Sequence, residues 1–98
     1  MKRIDTITAI MLAINEFVKE AYYERNSNPH KFKLRNHYIS EALGLYCSLQ
    51  ILRAYSPDIL EWLRIAIENY DIYTVQHIMN SEKIRPYNIR LKGGTDND

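Results

Sequence analysis

Apolar residues recur every three or four positions through most of the chain, and this spacing predicts α-helices rather than strands. The clearest such stripe is made by Ile7, Met11, Ile14, Val18 and Ala21. Asp5 or Thr6 precedes it, and either side chain can accept hydrogen bonds from the free amides of a helix start. We therefore predict a first helix over about 5–25, which ends before Pro29 because the residue before a proline avoids helical torsions.

A second helix is predicted over about 35–55 from two parallel apolar rows. One row is Tyr38, Ala42, Leu45, Leu49 and Leu52, and the other is Ile39, Leu43 and Tyr46. So wide an apolar face suits a central helix. Gly44 lies inside it and costs about 1 kcal/mol relative to alanine, which implies a kink or a close helix contact.

Two shorter helices are predicted in the second half of the chain. Residues 56–58, Ser-Pro-Asp, supply a capping hydroxyl, a first-turn proline and a first-turn carboxylate, which predicts a helix over about 57–69. Asp71 can cap a fourth helix over about 72–80. The inward residues are Ile59, Leu60, Leu63, Ala66, Ile67 and Tyr70 in the third helix, and Ile72, Val75, Ile78 and Met79 in the fourth.

Four amphipathic helices with short turns predict an all-α fold, a small bundle of four helices with a C-terminal αα-hairpin. Residues 63–79 are similar to the helix pair of an ankyrin repeat, although Tyr70 takes the place of the glycine in that family's turn. Because a single repeat cannot bury its own face, we interpret this likeness as ordinary hairpin patterning. The periodicity predicts one helical domain over 1–91 and a disordered polar tail over 92–98.

Length and composition bound the class of protein. Ninety-eight residues with 46% hydrophobic and 26% charged side chains indicate one folded domain rather than a disordered chain. Cys47 is the only cysteine, which excludes an intrachain disulfide and favours a reducing, cytoplasmic location. No apolar run approaches the roughly 18 residues of a membrane span, so we expect no membrane association.

The net charge of +1 results from a cancellation between blocks of the sequence. Residues 25–37, called the basic segment below, contain four Lys or Arg and no acidic residue, whereas residues 38–82 carry a net charge of −4. The overall pI of about 7.9 is below the value above about 9 that is typical of dedicated nucleic-acid domains.

The basic segment is the main candidate binding surface. It contains Arg25, His30, Lys31, Lys33, Arg35 and His37, with Tyr22, Tyr23, Phe32 and Tyr38 in or beside it. Cations attract phosphates and carboxylates, and aromatic faces stack on bases. Three interpretations stay open: a solvated loop that Phe32 and Leu34 pin to the core, a nucleic-acid or anion site, and a site for an acidic protein. Residues 26–36 are expected to be irregular, although 31–35 fits an extended piece or the first turn of the second helix.

Two motifs of known chemistry fit the sequence poorly. Leu43-Gly44-Leu45 resembles the turn of a helix-turn-helix motif, but Gln50 stands where an apolar anchor is needed and Arg53 is the only basic residue beyond it. Nucleophilic catalysis would need Cys47, which lies in mid-helix and is expected to be buried or half-buried.

No metal or acid–base site is expected either. The histidines form no close ligand pair, and Asp58, Glu61, Glu68 and Asp71 have the pattern of caps and solvated faces. We therefore expect no enzyme activity, no metal and no cofactor.

Eight tyrosines are more than a core of this size needs. Tyrosine is enriched at interfaces, and Tyr23, Tyr73 and Tyr87 lie off the main stripes, although tyrosines at the rim of the core are the alternative. The sequence thus predicts a small regulatory or inhibitory binding protein, whose basic segment contacts a partner protein with an acidic or phosphate-bearing surface. Nucleic-acid binding through the same residues is the alternative, and self-association is a further expectation.

Overall fold

The computed structural model describes residues 5–81, which form four α-helices and contain no strand. The helices are α1 (Thr6–Ser27), α2 (Phe32–Ile51), α3 (Pro57–Glu68) and α4 (Ile72–Asn80). This confirms the predicted all-α bundle and its C-terminal hairpin, α3–α4. The predicted tail, 92–98, and Tyr87 lie outside the described residues. Within 5–81, no helix is both long enough and apolar enough to cross a membrane.

The core lies where all four helices meet. α1 packs most extensively against α2 and also contacts α4, while α3 packs against α2 and α4. The predicted α1 stripe is entirely buried. The remaining buried apolar residues are Ala42, Tyr46, Leu49, Ala54, Tyr55, Leu60, Leu63, Ala66, Ile67, Ile72, Val75 and Ile78.

Three of the helices begin with the caps that the sequence predicts. Asp5 accepts a hydrogen bond from the backbone N–H three residues later at 2.8 Å, Ser56 does the same at 3.4 Å and Asp71 at 3.1 Å. Each bond satisfies an amide that has no partner inside its helix. These local signals explain why α1, α3 and α4 begin within a residue of the predicted positions.

α2 ends four residues earlier than predicted, in a Schellman motif. The Ala54 N–H donates to the Leu49 carbonyl at 3.0 Å, and the Arg53 N–H donates to the Gln50 carbonyl at 3.1 Å. Arg53 has a φ of 51°, in the left-handed region that usually selects glycine. The chain therefore reverses before the predicted apolar row is complete, and Leu52 is 37% exposed rather than buried.

Two details of α2 differ from expectation. Of the two alternatives for Gly44, the close helix contact is wrong, since a Cβ placed there meets nothing within 4 Å among the described residues. Cys47 is exposed rather than buried or half-buried. Both residues lie on the outer face of the helix, because the inward residues are Ala42, Tyr46 and Leu49.

α3 also ends in a Schellman motif, with Tyr70 in the left-handed region at a φ of 59°. The Asp71 N–H donates to the Ala66 carbonyl at 2.8 Å, and the Tyr70 N–H donates to the Ile67 carbonyl at 3.2 Å. Tyr70, which stands where the ankyrin turn has a glycine, thus adopts the left-handed backbone conformation that glycine usually supplies. Since Asp71 also caps α4, the three residues 69–71 complete the reversal between the helices.

Candidate binding surface

The basic segment is divided among three elements rather than forming one irregular loop. Arg25 lies in the last turn of α1, and His30 and Lys31 lie in the turn between α1 and α2. Phe32 begins α2, so the expectation of irregular structure over 26–36 is wrong outside the four-residue turn. Residues 31–35 were expected to form either an extended piece or the first turn of the second helix. The helical alternative is confirmed from Phe32 onward.

Backbone and side-chain hydrogen bonds define the turn between α1 and α2. The Asn28 N–H donates to the Glu24 carbonyl at 2.8 Å, and the Lys31 N–H donates to the Asn28 carbonyl at 2.9 Å. The Asn28 amide also donates to the Glu24 carboxylate at 3.0 Å. Glu24, which immediately precedes the basic segment, is therefore engaged with Asn28 at the end of α1.

Arg35 contributes to the turn more than to the surface. Its Nη1 donates to the carbonyl of Pro29 at 2.7 Å and lies 3.5 Å from that of Asn28. The side chain is half-buried, and its Nε has no hydrogen-bond partner among the described residues. Arg35 thus orders the turn that presents its neighbours, a role that sequence spacing does not reveal.

Arg25 stacks on two tyrosine rings. Its guanidinium carbon lies 5.6 Å from the centre of the Tyr22 ring and 4.8 Å from the centre of the Tyr70 ring. Tyr23 meets Tyr22 edge to face, with the ring centres 5.7 Å apart. Cation–π contacts of this kind favour a fixed guanidinium orientation, so Arg25 is held at the junction of α1 with the α3–α4 turn.

Most basic side chains of the segment are exposed and have no carboxylate partner within residues 5–81. The exposed ones are Arg25, His30, Lys31, Lys33 and His37. Within residues 5–81, the salt bridges are Lys19–Glu16, Arg64–Glu61 and Arg64–Glu68, and none includes a member of the segment. His37 contacts the ring of Tyr38, with the centres 5.9 Å apart. The positive charge of this end of the bundle is therefore not neutralised locally.

Apolar side chains are exposed beside these cations. Phe32 is 55% exposed, Leu34 38% and Tyr23 55%. Phe32 and Leu34 are absent from the core, so they do not pin the segment to it, whereas a solvated surface stays one of the open interpretations. Phe32 places apolar contact area between Lys31 and Lys33, and aromatic residues are enriched at interface cores.

The start of α2 is electrostatically unfavourable for a helix. Lys31 occupies the N-cap position without a side-chain capping bond, and the first turn contains no acidic residue. Because the helix dipole already places partial positive charge at this end, Lys31 and Lys33 add to it rather than oppose it. A bound anionic group would relieve this repulsion.

A second exposed apolar region lies on the outside of α3–α4. Trp62 is 40% exposed, Ile65 44% and Tyr73 71%. The rings of Trp62 and His77 meet with their centres 5.7 Å apart, which joins the two helices on this side. We call these four residues the hairpin face. Tyr73 was predicted as an interface residue, whereas Trp62 and Ile65 were not singled out, because each lies next to the buried stripe of α3.

A cleft of about 540 Å³ lies between the end of α2 and the start of α3. Its lining consists of Tyr46, Gln50, Arg53, Tyr55, Ser56, Pro57, Leu60 and Glu61. Burial raises the pKa of the Tyr46 hydroxyl, and nearby Glu61 raises it further. Sequence reasoning missed this cleft because it continued α2 through the turn that forms one wall.

The carboxylates of α3 are partly neutralised within the helix. Arg64 donates hydrogen bonds to Glu61 and Glu68, three residues before it and four after it. The bond from Arg64 lowers the pKa of the Glu61 carboxyl, and the two carboxylates raise the pKa of Arg64. These groups form a charge network on the surface of α3, where Glu61 and Glu68 are exposed as expected.

The helix-turn-helix interpretation of residues 39–55 does not fit the structure. Leu43, Gly44 and Leu45 lie inside the continuous helix α2, so no turn separates two helices there. Arg53 lies beyond the end of α2. Among residues 5–81, the basic segment is therefore the candidate surface for a nucleic-acid interaction.

The described residues contain no cluster of three or more His, Cys, Asp or Glu side chains able to hold a metal ion. His30, His37 and His77 lie on three different elements.

Comparison of the chain with protein-family models, curated proteins and solved structures gives no match. Inference about function therefore depends on the two exposed surfaces and the cleft.

Proposed function

We propose that the chain is a small non-enzymatic binding protein, which regulates or inhibits a partner protein through the basic segment. The observation that carries the proposal is the set of exposed basic side chains that have no carboxylate partner in the described part of the chain, with Phe32 also exposed among them. Charge of this kind steers association with an acidic surface, and a central aromatic side chain supplies apolar contact area. We place this function in the cytoplasm, because Cys47 is the only cysteine.

An acidic protein suits this surface better than nucleic acid. The segment carries four formal positive charges, and the chain as a whole has a pI of about 7.9. Asp58, Glu61 and Glu68 on α3 would repel an extended polyanion that reached past the segment. Arginine, tyrosine and phenylalanine, which surround the lysines here, are enriched in protein–protein interfaces.

Charge reversal tests the proposal directly. Immobilised full chain is exposed to a nuclease-treated lysate of the native host, and wild type is compared with Lys31→Glu/Lys33→Glu. Lys19→Glu/Arg53→Glu is the matched control, since it changes the net charge equally and leaves the segment intact. We expect wild type and control to retain a protein that the segment variant loses. Equal retention by both variants, or no retained protein, would reject the proposal.

Nucleic-acid binding is the second candidate, because the exposed cations of the segment form no salt bridge with another residue that the structure describes. A salt titration with a duplex of about 20 base pairs tests it, because phosphate contacts make log K fall linearly with log salt. Binding that falls steeply with salt and is lost in Lys31→Glu/Lys33→Glu supports this candidate. No binding at about 50 mM salt removes it.

A further inference from the structure

The hairpin face has the composition of an interface centre. Tyr73 is 71% exposed, and Trp62 and Ile65 each keep two-fifths or more of their surface in contact with solvent. Single exposed apolar residues are ordinary, but three large ones on adjoining helices form a patch, because Trp62 bridges α3 to His77 on α4. Tyrosine and tryptophan are also the residue types that most often carry binding energy.

The edge of this face is acidic. Asp58 lies one helical turn before Trp62 on the same side of α3, and Glu61 and Glu68 flank the row. Arg64 is the only cation of α3, so the helix keeps a net charge of −2. The chemistry that fits here is an apolar side chain flanked by cations.

Residues 31–34, Lys-Phe-Lys-Leu, have that chemistry and belong to the same chain. Both lysines are exposed, and Phe32 is 55% exposed between them. The two surfaces lie near one end of the bundle, because Arg25 at the end of α1 stacks on Tyr70 in the α3–α4 turn, three residues before Tyr73. A second copy turned by a two-fold rotation would bring each surface against its complement.

We infer that two copies of the chain form a reciprocal dimer, in which residues 31–34 of each copy contact the hairpin face of the other. The inference shares the basic segment with the proposed function but does not need its partner protein. The dimer closes on itself because both contacts form at once, and it hides the cations that would otherwise bind the partner. Self-association and partner binding are then in competition for the same lysines.

A charge swap across the contact tests the dimer. Lys31→Glu/Lys33→Glu removes the cations, and Tyr73→Lys places a cation in the centre of the hairpin face. By sedimentation velocity at low salt and tens of micromolar, we expect wild type to form a species of two chains and each variant alone to be monomeric. An equimolar mixture of the variants should restore the two-chain species, because one contact is then native and the other pairs Glu with Lys.

Matched controls separate surface effects from folding. Ile51→Lys, at a residue that is 81% exposed on α2, and Lys19→Glu/Arg53→Glu should both dimerise like wild type. Thermal unfolding confirms that each variant folds. Monomeric wild type, dimerisation of Lys31→Glu/Lys33→Glu by itself, failure of the mixture to associate, or assemblies larger than two chains would each overturn the inference.

The lysate experiment stays independent of this result. Tyr73→Lys leaves the basic segment intact, so it should lose self-association and still retain the partner protein. If Tyr73→Lys retains the partner while wild type is monomeric, the dimer is wrong and the proposed function stands. If wild type dimerises and no partner is retained, the proposed function is wrong and the dimer stands.

Discussion

The guanidinium of Arg25 lies 4.8 Å from the centre of the Tyr70 ring and joins the end of α1 to the turn between α3 and α4. Tyr70 holds its ring there from a left-handed backbone conformation at a φ of 59°. The contact fixes Arg25, at one edge of the basic segment, to the α3–α4 turn. The basic segment and the hairpin face therefore keep a fixed position relative to each other.

Removal of this stack should lower stability by a modest amount. Arg25→Ala is expected to lower the free energy of unfolding by about 0.5–1 kcal/mol, the value of an exposed cation–π contact. A double-mutant cycle with Tyr70→Leu, measured by urea unfolding, should give a coupling energy of the same size. Additive effects of the two substitutions would show that the stack does not contribute.

Arg53 and Tyr70 share a left-handed conformation and should respond differently to glycine. Arg53→Gly removes the steric cost of a Cβ and should raise the free energy of unfolding by about 0.5–1 kcal/mol. Tyr70→Gly relieves the same strain but loses the half-buried ring and the stack on Arg25, so it should give no gain. Equal stabilisation by both, in urea unfolding, would contradict this assignment.

Asn15 is a buried polar residue without an evident role. It is 7% exposed, and its Oδ1 has no hydrogen-bond partner among the described residues. Asn15→Leu replaces this uncompensated acceptor with an apolar side chain branched at the same carbon and should raise the free energy of unfolding by about 1–2 kcal/mol, measured by urea unfolding. Exposed Asn26 on the same helix is the control, where leucine should change stability by less than about 0.5 kcal/mol. Destabilisation by Asn15→Leu would indicate that the amide is bonded after all.

Gly44 lies in open space on the outer face of α2. Gly44→Ala should therefore stabilise the chain by about 0.5–1 kcal/mol, because alanine restricts the unfolded backbone and nothing opposes the added methyl group. Ser40→Ala on the same face should give a smaller gain, since serine has a better helix propensity than glycine. Destabilisation by Gly44→Ala would reveal a close contact at this position.

Much of the fold follows from local signals. The stripe from Ile7 to Ala21 and the caps Asp5, Ser56 and Asp71 determine α1, α3 and α4, because each depends on neighbours three or four residues away. The end of α2 was not predictable in this way. Arg53 and Tyr70 both adopt the left-handed conformation without being glycine, so no residue type marks the turn.

The candidate surface was predictable in composition and not in geometry. The lysines and histidines are evident from their clustering between Arg25 and His37. The engagement of Arg35 with the carbonyl of Pro29 and the stack of Arg25 on Tyr70 depend on how the turn folds and on a residue 45 positions away. Trp62 lies beside the buried stripe of α3, and the packing of the hairpin leaves it 40% exposed, which its position in the sequence does not reveal.

The affinity of the retained partner for two matched variants tests the account most directly. Lys31→Glu/Lys33→Glu and Lys19→Glu/Arg53→Glu carry the same net charge, so a difference between them reports position and not total charge. We predict that the first binds at least about tenfold more weakly than wild type, which corresponds to about 1.4 kcal/mol, and that the second binds within about twofold. Equal affinities for the two variants would contradict binding through the basic segment.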